Sequence, residues 1–268
     1  MKKIFLFIAF LWISLVSFAQ DGVNFEHLSF REALDKAKSE QKYVFMDCYT
    51  SWCGPCKNMT QNVFPQKKAG DYFNPKFICV KYDMEKGEGP ELGKRFEVRA
   101  YPTFLVLDAE GRLLHKVIGS YSVDEIIERI EESFDEEKAY GSLKAKYESG
   151  NREQVFMVKY LKMLIRYYDP AMEAVAAELI NNAERPLVLV GQGVELGNAQ
   201  QELRNFIEKA GIPVGCTLLG LSALPTDHPL NKGMLGMHGN LGPNINTNKC
   251  DVLIAVGMRF DDRVTGNL

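Results

Sequence analysis

The sequence predicts an α/β protein in three successive parts: a small mixed sheet flanked by helices, a helical hairpin, and a parallel sheet built from alternating strands and helices. Three observations carry that prediction. Short apolar runs alternate with amphipathic stretches as far as Phe134, the periodicity turns wholly helical from Glu136 to Tyr168, and strand–helix alternation returns after Asp169-Pro170.

The first residues read as a leader rather than as part of the fold. Lys2 and Lys3 precede an almost wholly apolar run from Ile4 to Phe18, and Ser17-Phe18-Ala19 supplies small residues where a signal peptidase cuts. Cleavage after Ala19 makes 1–19 a signal peptide, exports the rest, and places it in a periplasmic compartment with no lasting membrane anchor. The alternative is an uncleaved anchor, for which the apolar run is short.

The elements follow in order. Phe25 to Glu40 reads as one amphipathic helix, with Phe30, Ala33, Leu34 and Ala37 at helical spacing. Tyr43-Val44-Phe45-Met46 is a buried strand, and Cys56 to Val63 a helix. Phe77 to Tyr82 and Thr103 to Leu107 are further strands. Asp108-Ala109-Glu110-Gly111 turns the chain into a strand over Leu113 to Ile118, and Val123 to Phe134 closes the sheet as a helix. The hairpin is broken at Ser149-Gly150-Asn151. Beyond it come a strand Leu187–Val190, a turn Gly191-Gln192-Gly193, a helix from Ala199 to Ala210, and strands Ile212–Val214 and Val252–Val256.

Composition removes several function classes. The chain has 268 residues, room for two modest domains, and its 46% hydrophobic and 25% charged residues are ordinary for a globular protein. A net charge of -3, with no basic run after the first few residues, argues against nucleic acid as a partner. Of six cysteines only Cys53 and Cys56 are closely spaced, and the four histidines are dispersed, so no metal site is expected. Cys48 and Cys79 read as small buried strand residues.

Trp52-Cys53-Gly54-Pro55-Cys56-Lys57 joins a buried strand to a helix, and that placement carries chemistry. At a helix N-terminus, unpaired N–H groups favour a thiolate on Cys53. Cys56, one turn inside, is placed to resolve a mixed disulfide. A cis peptide at Tyr101–Pro102, just before a strand, would offer backbone to a substrate. Asp47 on the buried strand would have a raised pKa and take the Cys56 proton, with Lys81 on the neighbouring strand as its charge partner. The same CxxC could instead be structural, or belong to a binding module without turnover.

Asp47 through Lys57, followed by Pro102, resembles the thioredoxin family over residues 25–137, in the form of exported Bacteroidetes-type proteins. The resemblance implies a thioredoxin-like fold, a nucleophilic Cys53, a resolving Cys56, a cis Pro102 and a buried Asp47. Gly54-Pro55 is similar to the dipeptide of reductants. The implied activity is an exported thiol–disulfide oxidoreductase, acting on protein disulfides, supplied by an extracytoplasmic electron donor and needing no cofactor. Residues 138–168 are then a helical linker.

From 170 to 268 a second resemblance appears. Gly191-Gln192-Gly193-Val194, Thr217-Leu218-Leu219-Gly220-Leu221, Gly233-Met234-Leu235-Gly236-Met237-His238-Gly239 and Gly257-Met258-Arg259-Phe260-Asp261 stand in the order found in acetolactate synthase large subunits. The segment resembles the central, Rossmann-like domain of these thiamine-diphosphate enzymes, in incomplete form. The resemblance implies FAD contacts at Gly191, Gly193, Thr217, Leu218, Gly236, Met237, His238, Gly257, Arg259 and Asp261. A nicotinamide site is disfavoured, since Ile212-Pro213-Val214-Gly215-Cys216-Thr217 contains no acidic residue. In that family the activating glutamate and the thiamine-diphosphate and magnesium sites belong to other domains. The segment is therefore expected to be non-catalytic, a fusion of two unrelated pieces meeting near Asp169. The competing reading makes the whole chain a fragment of a synthase that binds FAD or thiamine diphosphate.

Overall fold

The computed structural model describes residues 21–260, so the leader and Asp261 lie outside the described residues. The chain divides into two compact units, Met1–Arg152 with Lys162–Asp169, and Glu153–Leu161 with Pro170–Leu268.

In the first unit the opening segment corrects the sequence reading. Phe25–Glu26 is a two-residue strand, β1, and the helix α1 runs only from Phe30 to Glu40. Ser29 stops it from starting earlier. Its hydroxyl accepts from the Glu32 N–H, and the Glu32 carboxylate accepts from the Ser29 N–H, a reciprocal cap on the first turn. Strand β2 (Tyr43–Tyr49) is longer than predicted. Helix α2 starts at Gly54, not Cys56, spans Gly54–Asn58 and continues into a π-helical turn at Met59–Val63. Two helices that the sequence reading lacked follow, α3 (Lys67–Lys76) before β3 (Phe77–Asp83), and α4 (Gly89–Arg95) after it. Strands β4 (Thr103–Leu107) and β5 (Leu113–Ile118) fall where predicted. Helix α5 (Val123–Glu131) ends in a 3-10 turn at Glu132–Phe134.

The sheet order is β1-β3-β2-β4-β5, with β1, β3 and β2 parallel and the β2–β4 and β4–β5 pairs antiparallel. Alternation along each strand sends side chains to two cores. Phe45, Cys79, Phe104 and Val106 pack with Met59, Phe64, Phe73 and Ile126 on one face. Val44, Met46, Cys48, Ile78 and Leu105 pack with Phe30, Ala33 and Phe96 on the other. Cys48 and Cys79 are thus buried free thiols in opposite cores, the small buried strand residues predicted. Asp47, two residues after Phe45, shares the face covered by α2. Helix α6 (Tyr140–Glu148) and the end of α7 (Gln154–Arg166) complete this unit, and Tyr140 Oη donates to Asp169 Oδ2 at 2.5 Å.

The second unit contains α8 (Met172–Asn181), β6 (Pro186–Val190), a short turn of helix α9 (Gly193–Leu196), α10 (Gln200–Ala210) and β7 (Val214–Cys216). It continues with a 3-10 turn at Leu218–Ala223, β8 (Asn231–Met234), α11 (Leu241–Lys249) and β9 (Val252–Val256). The predicted strand Ile212–Val214 is displaced towards Cys216: Ile212 N–H still bonds the Ile207 carbonyl of α10, so pairing begins only at Val214. The strands pair in the order β8-β7-β6-β9, all parallel, with Val188, Val190, Val214 and Cys216 packed on Leu203 and Ile207.

Candidate functional site

Cys53 is the N-cap of α2. Its extended backbone (φ -70°, ψ 110°) directs Sγ back over the first turn, where it accepts from the Cys56 N–H at 3.1 Å. Pro55 fits this turn because its missing N–H would have no helical partner. The two sulfurs form a disulfide, and both residues are only 3% exposed. Trp52 beside them is exposed, 64% accessible, and is held by its Nε1–H donating to Glu85 Oε1 at 2.9 Å.

Trp52 also meets Tyr101 edge-on at 6.0 Å between ring centroids. That contact joins the cysteine loop to the loop of Pro102, whose peptide bond with Tyr101 is cis. The Pro102 carbonyl accepts from Gly119 N–H at 2.9 Å, and Thr103 Oγ1 donates to the Ala100 carbonyl at 2.7 Å, so the proline loop is tied on both sides. Glu85 was not singled out by the sequence, because an acid in a turn carries no pattern of its own, and Tyr101 was named only for its peptide bond with Pro102.

Asp47 lies on β2 opposite Lys81 of β3 and Phe104 of β4. It is buried, and Oδ1 has no hydrogen-bond partner. Burial pushes its carboxyl up to about 7, while the Lys81 charge pulls the other way. A cavity of about 190 Å³ opens beside Cys56, lined by Thr50, Lys57, Thr60 and Lys81 among others. Thr50, another residue the sequence did not flag, is buried there with an unpartnered hydroxyl, and its carbonyl accepts from the Cys53 N–H at 3.2 Å. Such a space holds a few waters, enough to carry a proton.

In the second unit, the predicted flavin residues within the described range follow the carboxyl ends of parallel strands: Gly191 and Gly193 after β6, Thr217 and Leu218 after β7, Gly236, Met237 and His238 after β8, Gly257 and Arg259 after β9. The strand order reverses between β6 and β9, the place where doubly wound sheets bind nucleotides. Here that crevice is filled by backbone. Gly193 N–H donates to the Gly257 carbonyl at 2.8 Å and Gly191 N–H to Val256 at 3.0 Å. A Cβ on Gly191 would stand 2.4 Å from the Gly257 carbonyl oxygen, so the glycine serves chain-to-chain approach. Gly236 N–H is likewise taken, by Asn244 Oδ1 at 2.8 Å. These amides do not fit a pyrophosphate cradle. Leu218, Met237, His238 and Arg259 are exposed.

Comparison with known proteins follows the same division. A model described as thioredoxin-like domain matches residues 30–133. Residues 30–133 are a thioredoxin-like domain. The model of the thiamine pyrophosphate enzyme central domain matches residues 174–268, which belong to that family. A solution structure of a proposed disulphide-isomerase from Bacteroides thetaiotaomicron is 43% identical, covering 43% of this chain and 95% of that one, with a TM-score of 0.40. The acetolactate synthase isozyme 2 large subunit of Escherichia coli is 47% identical over 93 residues, which is 35% of this chain and 17% of that protein. Acetolactate synthase 1 of Zea mays is 48% identical over 90 residues, 34% of this chain and 14% of that protein. The chain thus spans about a sixth of the length of these curated relatives. Among the described residues, no helix is long and apolar enough to cross a membrane.

Proposed function

We propose that the thioredoxin-like domain is an exported thiol–disulfide oxidoreductase that works as a reductase. The observation that carries this reading is the Cys53–Cys56 disulfide capping α2, with buried Asp47 on the sheet face beneath and a cavity beside Cys56. In the reduced form, the Cys53 thiolate attacks one sulfur of a protein disulfide. The substrate S–S bond breaks, a mixed disulfide forms, and the released substrate sulfur takes up a proton. Cys56 then gives its proton to Asp47, whose carboxyl titrates at about 7, or to water in the cavity. Its thiolate attacks Cys53 Sγ, the mixed disulfide breaks, and the second substrate thiol leaves. Two electrons have passed to the substrate. A dithiol donor outside the cytoplasm returns them by the same exchange.

In this reading the domain requires no cofactor, and residues 170–268 take no part in the chemistry. The test is dithiol-dependent insulin reduction by the full chain beside Cys53→Ser. Turnover that disappears in the variant supports the enzyme. Folded protein with accessible thiols and no turnover in either form would replace it with a binding module. Export is checked by sequencing the N-terminus of the mature protein, which is expected to begin after Ala19.

A further inference from the structure

A second polar cavity in the first unit, about 180 Å³, lies between β5, α5 and the end of α7, and neither the redox site nor the sequence motifs use it. It is lined by His115, Tyr121, Arg129, Glu132, Arg166 and Tyr167 among others. His115 is fully buried, and its Nδ1 accepts from the Tyr140 N–H at 3.2 Å. A neutral imidazole has one N–H, so here Nε2 bears it. Burial pushes the ring down to about 4, which keeps it neutral at ordinary pH.

The oxygens near that N–H stand off. Tyr167 Oη is at 3.4 Å and the Glu132 carboxylate at 3.9 Å, and Arg166 Nη1 is also 3.9 Å from the same Glu132 oxygen. Gaps of 3.9 Å are too long for direct hydrogen bonds, so the Glu132 carboxylate keeps acceptor capacity towards the cavity. Arg129 lies 4.2 Å over the Tyr121 ring and makes no ion pair among the described residues. The lining therefore offers two guanidiniums and one carboxylate around a space for about six water-sized groups.

We propose that this cavity binds a small free α-amino acid, from glycine to serine in size, with its carboxylate on Arg129 and Arg166 and its ammonium on Glu132. Guanidinium forks match a carboxylate in shape and charge, and an ammonium supplies the donor that the Glu132 oxygens lack. Acetate alone would leave Glu132 facing an anion. An alkylammonium alone would sit between arginines.

The test is calorimetric titration of the full chain with L-serine, acetate and ethylammonium. Serine is expected to bind saturably, with acetate and ethylammonium each about tenfold weaker or more, a loss of about 1.4 kcal/mol. Arg129→Gln should weaken serine and acetate alike. Glu132→Gln should weaken serine while acetate, no longer facing an anion, binds as well as before or better, which guards against a misfolded Arg129 variant. No saturable serine binding, equal binding of acetate and serine, or a Glu132→Gln protein that still prefers serine would overturn the proposal. Cys53→Ser protein should bind serine as the wild type does, whatever becomes of the redox reading.

Discussion

Replacing Asp47 by Asn should change how the stability of this protein depends on pH. The folded carboxyl is raised from 3.8 to about 7, with burial as the cause. At about 1.36 kcal/mol for each pH unit, the folded state loses up to ~4 kcal/mol when Asp47 must ionise inside the sheet. The sign follows from proton counts. Between pH ~4 and ~7 the folded chain holds a proton that the unfolded chain has released, so stability falls as pH rises and then levels off. His115 acts in the opposite sense. Its folded value of about 4 lies below the ordinary 6.5, so stability is lost as pH falls through that window. The two contributions overlap and offset each other, and the wild-type profile should be shallow. The readout is therefore the difference between Asp47→Asn and wild type, in urea unfolding of the oxidised chain followed by Trp52 fluorescence. That difference should be about 2–4 kcal/mol larger above pH ~7 than near pH ~4. A difference independent of pH would refute the buried, proton-holding carboxyl, and with it the role given to Asp47 in turnover.

The converse variant, His115→Gln, should flatten the acid side, removing up to ~3 kcal/mol of loss between pH ~6.5 and ~4 in the same unfolding series. Phe45→Ala should cost about 3–5 kcal/mol by urea titration, because Phe45 is fully buried between Phe73 at 4.5 Å and Phe104 at 5.7 Å. A flavin absorption band is not expected in the purified full chain after incubation with FAD and gel filtration, since the Gly191, Gly193 and Gly236 amides are already engaged. A retained yellow colour would show that the backbone closure between β6 and β9 opens.

The redox motif was legible because its parts are local or carry fixed punctuation. Cys53 and Cys56 are one turn apart, Pro55 suits that turn, and Tyr101-Pro102 announces a special peptide bond. Strands β4 and β5 were read at their true limits, since an apolar run on each side meets the turn formed by Asp108 to Gly111. Other elements carried no such signal. β1 is two residues long, too short for any period, and its apolar Phe25 was absorbed into the helix that Ser29 in fact starts. Helices α3 and α4 contain Gly70, Pro75, Gly89, Pro90 and Gly93, residues that read as turns. They are helical because packing of Ala69, Phe73 and Leu92 outweighs weak local propensity.

By itself the sequence determined the dithiol, the order of most strands, and the presence of two unrelated families in one chain, because each is written in residue type and spacing. Only the tertiary structure decided what surrounds those residues. It placed Asp47 where no donor reaches Oδ1, hollowed a cavity beside Cys56, closed the glycine turns of β6 and β9 upon each other, and gathered Arg129, Glu132, His115 and Arg166 around one space. Burial and long-range approach set these features, and both depend on residues distant in the chain, which no local pattern records.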